Sequence, residues 1–215
     1  MSNRRALLAG GAILALSTTR PAAWARAPRG LWFDPTQLPS YSGRLDRWIS
    51  NPAGQVDRGL LREGTQFVFP ASEAEALAAA VARGGPITIW GIRARSAPVV
   101  TMLAWARVET DPASFVESPA WFANDTPGTQ RLALSGRIQA PLLNPQGEPM
   151  GVILANGGSI RLTVETHRRI ASQLDVGDNV AAEGLGTRRG DLIAIDAQRL
   201  GKDEASLQGL PEPSP

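Results

Sequence analysis

The sequence has no cysteine, a single histidine (His167) and a single lysine (Lys202), and it has no apolar run of the roughly 18 residues needed for a membrane-spanning helix. Each absence excludes something. Without cysteine there is no disulfide framework and no lipoprotein anchor, so the fold must stand on its hydrophobic cores. With one histidine and no thiolate, a zinc or copper site of the usual ligand types is not expected. A Ser-His-Asp triad would have to use His167, and no serine occupies a Gly-x-Ser-x-Gly context. His167 is expected to be an exposed helix residue. The run from Gly184 to Gly190 lacks the spacing of a phosphate-binding loop and reads as a flexible turn between two strands. Asp175 and Asp178 read as solvated turn residues rather than a calcium pair. No cofactor, no metal and no catalytic constellation is expected: the chain reads as a non-enzymatic protein.

What is present begins with an export signal. Arg4 and Arg5 precede an apolar stretch from Ala6 to Leu16, and Ala23-Trp24-Ala25 is a small-x-small cleavage site. The run Asn3-Arg4-Arg5-Ala6-Leu7-Leu8 resembles a twin-arginine signal, and an ordinary secretory signal fits equally. Residues 1–25 are therefore expected to be removed and the remainder to be periplasmic, without a membrane anchor. The chain has 22 basic and 20 acidic residues, and Arg4, Arg5 and Arg20 leave with the signal, so the mature chain carries 19 against 20. A protein that relies on phosphate contacts usually has a net positive field. This balance disfavours nucleic acid as the partner.

The sequence repeats itself at an offset of 93 residues. Gly43-Arg44-Leu45 falls on Gly136-Arg137-Ile138, and Asn51-Pro52-Ala53-Gly54 falls on Asn144-Pro145-Gln146-Gly147. Gly64, Gly84, Gly91 and Arg95 meet Gly157, Gly177, Gly184 and Arg188. Each copy reads as three strands, a helix and two strands. In the first copy the strands lie at 42–49, 59–62, 65–69, 87–93 and 99–107. Its helix spans 76–82, capped by Ser72 and ended by Gly84-Gly85. In the second copy the elements lie at 132–143, 152–155, 159–164, 166–174 (helix), 179–185 and 192–200. That order belongs to the OB fold, a five-stranded Greek-key barrel. The expected architecture is all-β with one short helix per repeat, in two tandem OB-type barrels, 42–107 and 131–200. An extended segment (26–41), a surface linker (108–130) and a disordered tail (201–215) complete the chain.

Phe33-Asp34-Pro35-Thr36-Gln37-Leu38-Pro39, the Asn-Pro-x-Gly turn and the hairpin Leu60-Leu61-Arg62-Glu63-Gly64-Thr65-Gln66 resemble a group of exported bacterial OB-fold-like proteins of unknown function. The resemblance covers the first repeat well and the second weakly, and implies a fold rather than an activity. An Asp-Gly pair of that group is interrupted here by Arg58, and its Pro-Pro-His is replaced by Pro70-Ala71-Ser72, so no histidine role carries over.

OB barrels bind across strands two and three, between the loops joining strands one to two and four to five. The latter loops carry Arg93 and Arg95 in the first copy and Arg188 and Arg189 in the second. They are candidates for an anionic ligand, or simply solvated arginines in a chain nearly devoid of lysine. Trp48, Trp90 and Trp105 align with Pro141, Glu183 and Gln198, which places them on the outside of the first barrel, with Trp48 and Trp90 as neighbours. Such a cluster is either covered, by the other barrel or by Trp32-Phe33 or Trp121-Phe122, or used as a stacking platform for sugars, bases or a protein. The sequence thus reads as an exported binding or assembly protein with an unidentified protein or glycan partner. A single-strand nucleic-acid binder is the alternative.

Overall fold

The computed structural model describes residues 33–123 and 126–210; the expected signal segment lies outside them. Two closed five-stranded barrels stand in tandem. The first contains β1 (Ser40–Ser50), β2 (Val56–Leu61), β3 (Gln66–Val68), helix α1 (Ala74–Ala80), β4 (Pro86–Arg93) and β5 (Val99–Ala106), followed by a two-residue strand β6 (Ser114–Phe115). Its strand order is β3-β2-β1-β4-β5-β6, and a parallel pairing of β3 with β5 closes the cylinder. The second barrel repeats this with β7 (Gln130–Leu143), β8 (Pro149–Leu154), β9 (Ser159–Arg161), α2 (Val164–Arg169), β10 (Asn179–Arg189), β11 (Leu192–Gly201) and β12 (Gln208–Gly209), closed by β9 against β11. Closure removes the open sheet edges that would otherwise invite pairing.

The local chemistry of the two copies coincides. In the first turn Gly54 N donates to Asn51 O (2.8 Å) and Gln55 N to Asn51 Oδ1 (3.0 Å). In the second, Gly147 N donates to Asn144 O (2.9 Å) and Glu148 N to Asn144 Oδ1 (2.8 Å). The asparagine side chain thus completes the turn, and Gly54 and Gly147 take positive φ. The long hairpins bend at matched bulges. A Cβ on Gly91 would stand 2.1 Å from Thr101 O, and one on Gly184 1.8 Å from Asp196 O. Only glycine lets the bent strands approach so closely.

Each barrel has its own core. Leu45, Phe67, Phe69, Ile87, Ile89, Val100 and Met102 fill the first, with Leu77 of α1 plugging one end. Ile138, Val152, Leu154, Ile160, Leu162, Val180 and Ile195 fill the second.

Several expectations need correction. Ser72 does not cap α1: residues 71–73 form a 3-10 turn that leads directly into the helix, and no side chain caps it. The linker is partly structured, because β6 pairs with β5 and Val116 is fully buried against the first core. The tail is folded as far as Leu210. Asp203 caps a turn with Ser206, β12 pairs with β11, and Leu210 N donates to Gln198 O at 3.0 Å. The run from Gly184 to Arg189 is strand, not turn, and only Gly190-Asp191 reverses the chain. His167 is buried, since α2 lays it down against the second barrel. Burial holds its pKa below the ordinary imidazole value.

Candidate functional site

The barrels pack through a pseudo-two-fold arrangement that follows from the duplication. Asp46 and Gln139, equivalent under the 93-residue shift, meet each other at 3.3 Å. Ile49 and Leu142 form one equivalent pair and Leu60 and Ile153 another, and all four share one buried cluster with Met150. Leu143 N donates to Gln66 Oε1 (3.1 Å), and the related contact runs from Ser159 Oγ to Ser50 O (3.4 Å). Each Asn-Pro-x-Gly turn lies against the β-hairpin of the opposite barrel. A Cβ on Gly54 would meet Thr187 at 2.7 Å, and one on Gly147 would meet Ala94 at 2.9 Å and Ala97 at 3.0 Å. Such a self-complementary patch is the geometry of an isologous dimer, realised here within one chain.

Its content matters for function. Strands two and three with the two flanking loops form the surface by which an OB barrel ordinarily holds a ligand. Here both copies spend much of that surface on each other. Charge is buried with it. Arg161 Nη2 donates to both carboxylate oxygens of Asp57, at 3.2 and 2.9 Å. Arg58 donates to Gln66 Oε1 and to the carbonyl of Leu143. Burial, reinforced by Arg161 and opposed by Asp57, pushes the Arg58 pKa down to about 10.

Beside this interface runs a groove of about 590 Å³, a size that suits a small organic ligand. Barrel one contributes Arg47, Trp48 and Arg83; barrel two contributes the 155–157 turn and, at the tip of the β10–β11 hairpin, Arg188 and Gly190 to Ile193. Trp48 is half-buried, with its ring near-perpendicular to those of Phe67 (5.9 Å between centroids) and Phe69 (5.8 Å). Arg47 is already committed: it pairs with Asp46 at 2.9 Å and donates to Leu154 O at 3.1 Å, which ties the barrels together. Burial alone would raise the Asp46 pKa, but hydrogen bonds and charge from Arg47, with Gln139 and Arg83, outweigh it and hold it below the ordinary carboxylate value. Arg83 reaches Asp46 only at 3.5 Å and is 71% exposed. Arg188 and Asp191 are exposed, and their side chains have no ion-pair or hydrogen-bond partner among the described residues. The groove therefore offers an aromatic wall, two available guanidinium groups and one available carboxylate.

The seven residues singled out from sequence separate. Trp48 and Arg188 come together in the groove. Trp90 and Trp105 do not join them, and each is only 6% exposed. The expected outward Trp cluster does not exist. A bulge between Leu45 and Arg47 reverses the alternation of β1, so Trp48 packs on the barrel core while Ile49 faces the other barrel. The bulge opposite Gly91 similarly turns Trp105 inward, where its Nε1 donates to Glu73 at 3.5 Å. Trp90 does stay on the outer face, covered by Ala113 and Phe115 of the β6 segment. Arg93 ends β4 and Arg95 lies in the following loop; both are exposed and neither lines the groove. Arg189 ends β10, where its Nε would stand 3.0 Å from a Cβ on Gly54. Arg47 and Arg83 were not marked by any motif, but the repeat comparison holds their signal. Under the 93-residue shift they fall on Ala140 and Val176.

Fold and groove together define a two-barrel protein with a mixed aromatic and cationic cleft at the barrel junction. No family model, curated protein or solved structure matches the chain.

Proposed function

We propose that the protein is an exported, non-catalytic binding or assembly factor that acts as one two-barrel body and holds its ligand in the inter-barrel groove. Arg4, Arg5 and the Ala23-Trp24-Ala25 site support export to the periplasm, where the partner would be a protein or a glycan. The lead at 33–39 and the hairpin at 60–66 associate it with the exported bacterial OB-fold-like group. The observation that carries the reading is the mutual burial of the two OB faces. The same surface patches that would each track a nucleic-acid strand are occupied by Gln66, Leu143, Ser159 and the two Asn-Pro-x-Gly turns. The groove beside them is left as the site with free charged groups.

The test is a tryptophan-fluorescence titration of the mature protein with a single-stranded oligonucleotide, at low and then moderate salt. No response is expected. Quenching at micromolar concentration that weakens with salt would show strand binding through phosphate contacts and would replace this proposal by the nucleic-acid alternative.

A further inference from the structure

A duplicated chain that packs about a pseudo-two-fold makes every groove twice. The counterpart of the Trp48 groove is a cleft of about 520 Å³ lined in part by Arg62, Gly64 and Ala140, the shift-equivalents of Ala155, Gly157 and Arg47. Packing needs alone act on both sides of the axis alike, and the turns and apolar pairs did stay alike. The groove residues did not. Trp48, Arg83 and Asp191 correspond to Pro141, Val176 and Pro98, and only Arg188 finds an arginine, Arg95. The hairpins have also diverged. In the first copy Trp90 faces Ala104, whereas its equivalent Glu183 faces Arg199, two residues beyond the equivalent Ala197. The longer pairing carries β10 to Arg189 and brings Arg188 and Asp191 to the groove. One of two equivalent clefts has acquired an aromatic wall and free charges of both signs.

We infer that this groove binds an anionic sugar, a saccharide whose charge is a carboxylate or a phosphate. The inference rests on the reading of the groove as the ligand site. Arg83 and Arg188 supply charge-assisted donors for the anion. Trp48 supplies an apolar face for a ring. Asp191, an acceptor with no partner among the described residues, suits the hydroxyl groups that a sugar presents and a plain hydrophobic anion lacks. An extended polyanion is a poorer match, because Asp191 interrupts the cationic track and the mature chain has more acidic than basic residues.

The test is calorimetric and NMR titration of the mature protein with a galacturonate trisaccharide, a hexose phosphate, maltotriose, inorganic phosphate and a short oligonucleotide. The Trp48 indole N–H resonance, assigned by its loss in Trp48→Phe, is the reporter. At least one acidic sugar is expected to bind and shift it, and which one distinguishes carboxylate from phosphate. Maltotriose and free phosphate should bind at least about tenfold more weakly, the worth of one charged hydrogen bond. The double variant Arg83→Gln/Arg188→Gln should lose at least about tenfold in affinity with little change in melting temperature, since the Arg83–Asp46 pair is long and Arg83 is largely exposed. Arg62→Gln, on the counterpart cleft, should bind like the parent. Equal binding of maltotriose or of free phosphate would overturn the ligand class while leaving the groove as the site, and preference for the oligonucleotide would overturn both in favour of the nucleic-acid alternative. Absence of any binding, or binding indifferent to the double variant, would overturn the site itself.

Discussion

At the scale of single residues, the least expected feature is charge in the buried seam between the barrels. Asp57, Arg58 and Arg161 are each less than a tenth exposed. A buried ion pair contributes little net stability, but removing one partner strands the other. The three groups make the two removals unequal. Asp57→Asn leaves two buried guanidinium groups facing each other and should cost about 3–5 kcal/mol. Arg161→Met leaves Asp57 with Arg58 still beside it and should cost distinctly less. Urea unfolding midpoints of the two variants check the order, and equal losses would mean that Arg58 does not feel Asp57. None of this was legible in the sequence. An Asp-Arg pair on a strand reads as a solvated edge, because burial of the outer face depends on a partner barrel that local sequence does not mention. The tryptophans failed for a related reason. Comparing Trp48 with Pro141 assumes that alternation runs unbroken, and a bulge reverses it without leaving a mark in composition.

At the scale of elements, the turns and hairpins were the most readable parts, because glycine and asparagine placements are dictated by backbone geometry rather than by distant packing. Even so, the sequence does not say which turns are free and which are covered. Gly54 and Gly64 have nearly the same φ, +83° and +85°. A Cβ on Gly64 would meet nothing within 4 Å, whereas on Gly54 it would stand 2.7 Å from Thr187 and 3.0 Å from Arg189. Gly64→Ala should therefore cost only the left-handed strain, about 1–2 kcal/mol. Gly54→Ala should cost more, because it must also push the β10–β11 hairpin away and disturb the 2.7 Å bond from Thr187 Oγ1 to Pro52 O. Thermal unfolding of the pair isolates the inter-barrel contact from the turn itself, and equal costs would show that the hairpin gives way freely. The ends of elements were read least well. β10 outruns its expected end by four residues, from Leu185 to Arg189, because hairpin register is set by cross-strand pairing and not by the glycines within it.

At the scale of the whole molecule, the repeat was fully visible in the sequence and packing of one barrel on the other was among the expectations; which surfaces meet was not, and the two copies join through strands two and three and their turns. The linker supports this arrangement without creating it. After β6, residues 119–123 cross the seam, with Ala123 packed on the Ile49–Leu142 cluster and Trp121 O accepting from Gln146 Nε2 at 2.9 Å. The contact itself, with its apolar centre of Ile49, Leu60, Leu142 and Ile153 and its ring of paired polar groups, is built like an obligate interface rather than a transient domain contact. Each of those four apolar side chains contributes about 1.5–3 kcal/mol when removed from water, enough together to hold two separate chains. Replacing Asn124-Asp125 by a protease site and cutting there should accordingly leave two halves that elute as one species in gel filtration at micromolar concentration and unfold in one transition. Ile49→Asp in the cut protein places a charge at the centre of the seam and should release the halves, while in the uncut protein it should lower stability and open the groove beside Trp48. Halves that separate on cutting without that substitution would mean that the linker, and not the pseudo-two-fold interface, holds the groove in shape.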